Sequence, residues 1–312
     1  MKQLYYLSVQ PATRYYAWQV EVMLNNFIKH GVSPNQIQIL GSTENDHVPI
    51  EWLKLQDKHR DISFFFYNDT RRRKEYAPSI RPHLFKKHFS LYPELKDAVI
   101  FQHDCDIVFT KPVSWDKFLS DDIWYLSDTV SYIGAEYIKS KKYSVYERMC
   151  EIIGVDEEVP EKNQENSGGA QYLMKNLTVE YWTKVETDCE LLHNFFTHHH
   201  RAFPETPKYL PIQAWTAEMW SVLWNAWYFK HETKVVKDLG FSWPMNKISN
   251  WDSQPIFHNS GVIGNEKEKL FYKGLYLQQL PYNIKLDDYS VEHCSHQYVR
   301  EILETAKTSC LL

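Results

Sequence analysis

Within its first hundred residues the chain alternates short β-branched and aromatic runs with longer amphipathic ones, and this switching of period narrows the folds open to it. QLYYLSV (3–9) reads as a strand, and YYAWQVEVMLNNFIKHG after it as a helix. Tyr16, Val20, Met23, Leu24 and Phe27 share one face of that helix, and Gly31 supplies a C-terminal stop. NQIQILG (35–41) and ISFFFY (62–67) read as strands. IRPHLFKKHFSLY (80–92) reads as a helix that tolerates Pro82 near its start. This β-α-β order predicts an α/β domain with a largely parallel sheet at its N-terminal side, in which ligands bind beyond the carboxyl ends of strands.

The remainder is less regular. DDIWYLSD (121–128) reads as a strand, and residues 135–165 as helical and then loop. ENSGGAQYLM (165–174) returns to a strand. VEYWTKVETDCELLHNFF (179–196) reads as a helix, THHHRAFPETPKYLP as a loop, and QAWTAEMWSVLWNAWYFK (213–230) as a helix with Trp220, Leu223, Trp224 and Trp227 on one face. No repeat, low-complexity tract or linker interrupts the chain, so residues 1–312 read as a single domain.

FQHDCDIVF (101–109) places acids inside an apolar run. Two carboxylates there are costly unless a cation meets them. Residues i and i+2 of a strand face the same way, so Asp104 and Asp106 can aim at one point where the strand ends. A divalent ion suits that point, because Mg²⁺ and Mn²⁺ take carboxylate oxygens and keep positions open for phosphate. Two unrelated acids at a solvated strand end are the alternative.

Other residues carry a functional and a plain reading side by side. Gly168 and Gly169 allow close backbone approach to a ligand, or simply a turn into the next strand. Glu218 falls opposite the Trp face of its helix, where it can act as general base or hydroxyl anchor, or lie solvated. His258 and Asn259 precede a loop with Gly261 and Gly264; the imidazole is a metal ligand or an ordinary histidine. His198, His199, His200 and Arg201 read as a solvated loop before a phosphate contact. RRRK (71–74) reads as a solvated face, with Arg73 and Arg81 as diphosphate contacts second.

Composition excludes more than it assigns. A net charge of −5 gives no global field for nucleic acid or anionic membrane. The 21 Tyr, 16 Phe and 11 Trp fill cores for the most part, although rings also line sugar and base sites. The 5 cysteines form no CxxC pair and fit free thiols in a reducing compartment. Without a secretory-type N-terminus or a bilayer-length apolar run, the expectation is a cytoplasmic protein with no membrane anchor.

The order DCD, glycine loop, helix-borne Glu, C-terminal His resembles the GT-A nucleotide-sugar glycosyltransferases. YYAWQVEVMLNNFIKHG, NSGGAQYLM and QAWTAEMWSVL are similar to segments of the plant hydroxyproline O-arabinosyltransferases and peptidyl-serine galactosyltransferases. The likeness covers about residues 3 to 264. It implies a GT-A fold, a Rossmann-like, mainly parallel sheet flanked by helices, with a nucleotide-binding half (1–110) ending in the DxD motif and an acceptor half with a C-terminal extension (111–312). It implies that Asp104, Asp106 and His258 hold Mn²⁺ or Mg²⁺. Asp104, Arg81, Gly168 and Gly169 would contact a UDP-sugar carrying arabinose, galactose or glucose. Glu218 and Asp104 would serve catalysis, with retention of configuration expected. The plant enzymes are membrane-anchored proteins of the secretory pathway, so their acceptor does not carry over. A hydroxymethylated base in phage-type DNA and a glycan or glycolipid precursor are the acceptors considered. A non-catalytic nucleotide-sugar or carbohydrate-binding protein and a metal-dependent phosphohydrolase are the rivals from other classes.

Overall fold

A computed structural model describes residues 2–262 and 268–312; Gly264 lies outside the described residues. Its strands are β1 (Leu4–Pro11), β2 (Ile37–Thr43), β3 (Ser63–Asn68), β4 (Val99–His103), β5 (Ile107–Phe109), β6 (Trp124–Asp128), β7 (Gly168–Lys175), β8 (Thr233–Val235), β9 (Phe241–Ser242) and β10 (Ile256–His258). The fold is α/β, with helices flanking a mixed sheet. Contacts group the chain into two compact units. One takes Asp69–Gln102 and Asp116–Lys237 with the first four residues. The other takes Tyr5–Asn68, His103–Trp115 and Asp238–Leu312. Each unit draws on separate stretches, so neither is a continuous domain.

The unit containing Tyr5–Asn68 holds the parallel strands β3-β2-β1, paired from Tyr6↔Ile37 and from Gln38↔Ser63 onward. The helix Arg14–Lys29 connects β1 to β2, as its period predicts. Val20, Met23, Leu24 and Phe27 are buried as expected, while Tyr16 is half-buried. Gly31 closes the helix at φ +89°, a conformation that costs glycine little. The buried band is wider than the expected face: Trp18, Gln19, Glu21, Val22 and Asn26 are buried too. Polar side chains inside such a band need partners. Glu21 accepts from Tyr282 Oη at 2.6 Å, Ser309 Oγ at 2.6 Å, the Cys310 amide at 2.9 Å and Lys58 Nζ at 3.0 Å, which ties the C-terminal residues to this helix. The helix Ile50–Lys58 and a second sheet, in the order β5-β10-β9, complete the unit with the C-terminal helix Cys294–Ala306.

The other unit orders its strands β4-β7-β6-β8. The pairing in this unit is mixed, while the parallel strands expected for the N-terminal side are those of β3-β2-β1. The strand opening at Gly168 runs antiparallel to both β4 and β6, and only β6 and β8 are parallel. Helices Ile80–Leu91, Val179–Ala202 and Ala217–Tyr228 carry the apolar packing. Trp124, Trp182, Trp220 and Trp224 are fully buried, each ring contributing roughly 2–3 kcal/mol of apolar burial. Trp220 donates its indole N–H to Ile133 O at 2.8 Å, so the polar end is satisfied as well. The expected loop at THHHR is instead the last turns of the helix Val179–Ala202. Nothing in that stretch breaks a helix until Pro204, and the residue before a proline is pushed out of the helical region; Phe203 takes φ −131° and ψ 77°. No helix among the described residues is long and apolar enough to cross a membrane.

Candidate functional site

Asp104 and Asp106 do converge, but not by strand alternation. β4 ends at His103, and Asp104-Cys105-Asp106 form the turn that leads into β5. The third group arrives through pairing. β10 runs antiparallel to β5 with His258 opposite Ile107, and the Asn259 amide donates to Asp106 O at 2.9 Å. His258 Nε2 then lies 3.4 Å from Asp104 Oδ2 and 3.4 Å from Asp106 Oδ1. Ligand atoms of Asp104, Asp106 and His258 all fall within 4.8 Å of one another. β5 is held from its other side. The buried Asn26 amide donates to Phe109 O at 3.1 Å and accepts from Phe109 N at 2.7 Å, so one side chain serves both backbone groups of that residue.

Electrostatics matches the geometry. Asp106 and His258 are buried, while the Asp104 side chain keeps 22% of its surface exposed. Burial penalises His258 protonation, yet the Asp106 and Asp104 carboxylates outweigh it and push the imidazole up to about 9. Burial opposes Asp106 ionisation, and the Lys273 ammonium together with His258 overrides that, holding the carboxyl far below its usual range. Trp243 stacks on the His258 ring, with centroids 5.4 Å apart and planes at 26°, which fixes the imidazole's orientation. Two carboxylates and one imidazole form a donor set that fits Mn²⁺ or Mg²⁺ with positions to spare.

Glu218 and Arg81 meet in the other unit. Each sits in the first turn of its helix, and Arg81 Nη1 donates to Glu218 Oε2 at 3.0 Å. The reading of Glu218 as a residue on a solvated face is overturned by its burial. Residues from Ala217 to Trp227 are all buried, and Glu218 is 4% exposed. An amphipathic wheel misleads here because the helix is packed on every side. Tyr76 anchors the start of this helix: its hydroxyl accepts from the Glu218 amide at 2.8 Å and donates to Trp215 O at 2.7 Å. Trp215 itself remains 59% exposed.

Gly168 and Gly169 open β7, opposite Asp128 and Ser127, where the pairing shifts register. A Cβ on Gly168 would stand 2.4 Å from Leu126 Cβ and 2.6 Å from Ser127 O. On Gly169 it would stand 2.8 Å from Met219 Cε and 2.9 Å from Tyr172 Oη. The close approach these glycines permit is thus to the neighbouring strand and the protein's own side chains. Gly168→Ala is expected to lower stability by about 1–3 kcal/mol through overpacking, read by chemical denaturation. Unchanged stability with a weakened donor KM would point instead to a ligand passing there.

The basic runs divide. Arg71 is pinned rather than solvated. It pairs with Asp69 at 2.9 Å and donates to Tyr76 O at 3.1 Å and Ser79 Oγ at 2.8 Å. Arg72 and Arg73 are exposed. On the histidine-rich turns, His199 is buried and His200 bonds Ile212 O at 2.6 Å. Sequence reasoning missed Lys273, Asn26, Trp243 and Tyr76. FYKG around Lys273 carries no motif, and the others act through contacts with residues distant in sequence.

No known protein family matches the chain at the level of sequence, and no curated protein does. Solved structures match in shape. An apo structure of the WbbM bifunctional glycosyltransferase aligns over 99% of this chain at 9% identity with a TM-score of 0.49. Mouse xyloside xylosyltransferase 1, also apo, aligns over 82% at 8% identity with a TM-score of 0.38 and is itself covered over 98%. The chain spans about half, 50%, of the WbbM chain it matches.

Proposed function

We propose that this chain is a metal-dependent GT-A glycosyltransferase that moves a sugar from a UDP-sugar to an acceptor hydroxyl. The observation that carries the reading is the gathering of Asp104, Asp106 and His258 from a turn and a separate strand into one group of metal-ligating atoms. In this reading those three residues hold Mn²⁺ or Mg²⁺. When bound, the ion supplies positive charge against the departing nucleoside diphosphate. The bond from the anomeric carbon to the diphosphate breaks, a bond from that carbon to the acceptor oxygen forms, and the acceptor proton leaves to a base or to a leaving-group oxygen. The configuration is retained. In this reading Glu218 and Asp104 serve catalysis and Arg81 contacts the donor, whereas the space over Gly168 and Gly169 is filled by the protein's own atoms.

The donor sugar is a pentose or hexose such as arabinose, galactose or glucose. Hydroxymethylated DNA remains the acceptor to test first beside a glycan or glycolipid precursor, although the commitment of Arg71 to Asp69 thins the basic track a nucleic acid would follow. The rival metal-dependent phosphohydrolase would need a further set of acidic or His ligands, and among the described residues no second group of three metal-ligating side chains gathers. The test is UDP release from a panel of UDP-sugars with Mn²⁺, with and without hydroxymethylated DNA. Metal-dependent release with one sugar supports the transferase, and a rise on adding modified DNA names the acceptor. Failure of every UDP-sugar both to bind in calorimetry and to be turned over would rule the donor class out.

A further inference from the structure

β5 is three residues long and lies at the outside of its sheet, so its two edges have different partners. One edge pairs with β10. The Asp106 carbonyl and the Thr110 amide, which flank β5, turn to that side and meet Asn259 N at 2.9 Å and Pro255 O at 3.0 Å. Phe109 turns its amide and carbonyl to the opposite edge. There the buried Asn26 carboxamide, 1% exposed, donates to Phe109 O at 3.1 Å and accepts from Phe109 N at 2.7 Å. A carboxamide carries the same donor and acceptor as a peptide unit, so Asn26 acts as a one-residue strand partner. Phe27, the next residue of the helix, stacks on the Phe109 ring with centroids 4.3 Å apart and planes at 12°. All of these residues belong to one compact unit.

We propose that Asn26 is a positioning residue for the metal-ligating group: its carboxamide fixes the register of β5 on β10, and with it the placement of the Asp106 carboxylate against the His258 imidazole. The inference rests on the metal-site reading above and adds to it a residue that touches no ligand atom. Peptide groups of an antiparallel strand alternate between its two edges. A slip of β5 by one residue would turn the Phe109 amide and carbonyl away from Asn26 and leave buried donors and acceptors unmade. One register therefore satisfies β10 and Asn26 together. It is the register that sets His258 opposite Ile107, the residue after Asp106.

The test is Mn²⁺ binding followed by the electron paramagnetic resonance of free Mn²⁺, for the wild type, Asn26→Leu and Glu301→Gln, each shown to be folded by circular dichroism. Leucine keeps the branched shape of asparagine without its donor and acceptor. Glu301 accepts from Asn26 Nδ2 at 3.2 Å from the C-terminal helix, so its variant disturbs Asn26 on the side away from β5. The expected result is roughly 10- to 100-fold weaker Mn²⁺ binding by Asn26→Leu, with Glu301→Gln close to wild type. A merely structural Asn26 would lower stability in urea and leave the Mn²⁺ affinity of the folded protein unchanged. Wild-type affinity in Asn26→Leu, or an equal loss in Glu301→Gln, overturns the positioning role while leaving the metal site standing. Absence of Mn²⁺ binding in the wild type overturns the metal reading and the positioning role together. Should Asn26→Leu fail to fold, hydrogen exchange of the wild type decides. Because coupling is reciprocal, saturating Mn²⁺ is expected to slow the Phe109 amide several-fold more than the Leu24 amide. Equal slowing of the two overturns the proposal.

Discussion

Replacing Glu21 by alanine is expected to destabilise the protein by about 3–5 kcal/mol and to release its C-terminal residues. Glu21 is 0% exposed, and its carboxylate is the shared acceptor for Tyr282, Ser309, the Cys310 amide and Lys58. Lys58 in turn donates to Thr308 O at 2.8 Å, so the charge also holds the residue that fastens the tail. Removing the carboxylate leaves a lysine and two hydroxyls facing a site with no acceptor, and the cost of unmade buried hydrogen bonds exceeds the net value of made ones. Burial raises the pKa of Glu21, but the hydrogen bonds from Ser309, Tyr282, Cys310 and Lys58 prevail and leave it lowered. The sign follows: a depressed carboxylate pKa gives stability that is present above the unfolded value, near 4.5, and is lost as pH falls through the folded value. Urea denaturation of the wild type should show that loss below about pH 4.5, and the Glu21→Ala difference should shrink over the same range. Limited proteolysis should cut the variant first near residues 308–312. A destabilisation under about 1 kcal/mol with a protected tail would show that the network contributes little.

Asp106→Asn is expected to lower metal-dependent UDP release by about a hundredfold or more, equivalent to roughly 3 kcal/mol of lost transition-state stabilisation. The substitution keeps the shape of the side chain and removes the charge that His258 and Lys273 both face. Mn²⁺ binding should weaken at least as much, because an amide oxygen is a poorer ligand for a hard cation than a carboxylate. Two cations left without their shared anion also tend to loosen the turn, so stability is measured on the same preparation. A folded Asp106→Asn protein that releases UDP at the wild-type rate would falsify the assignment of Asp106 to the metal. Loss of release in a protein that still binds Mn²⁺ normally would assign Asp106 to the donor instead.

The local elements were legible in the sequence where periodicity was strong. The helix Arg14–Lys29 and its Gly31 stop, the strands β1 to β4, and the helix Ile80–Leu91 with Pro82 in its first turn all follow from spacing and breaker residues. The candidacy of Asp104 and Asp106 for a cation was legible as well, because two acids within an apolar stretch are costly without one. The way they converge was not legible. Asp104 and Asp106 meet at a turn after β4, and His258 joins them only because β10 pairs antiparallel with β5 in one register, a long-range choice that no local pattern encodes. Burial was beyond the sequence for the same reason. The wheel of the helix Ala217–Tyr228 puts Glu218 on a polar side, yet packing closes that side too and Arg81 supplies the charge that makes it tolerable. Lys273 is the furthest case. A lone lysine in FYKG carries no signal, and only the tertiary structure sets its ammonium on Asp106. The sequence by itself determined which residue types could do the chemistry and which runs would be helix or strand. Tertiary structure decided which charges meet, because the energy of a charge depends on the partners and solvent that folding leaves around it.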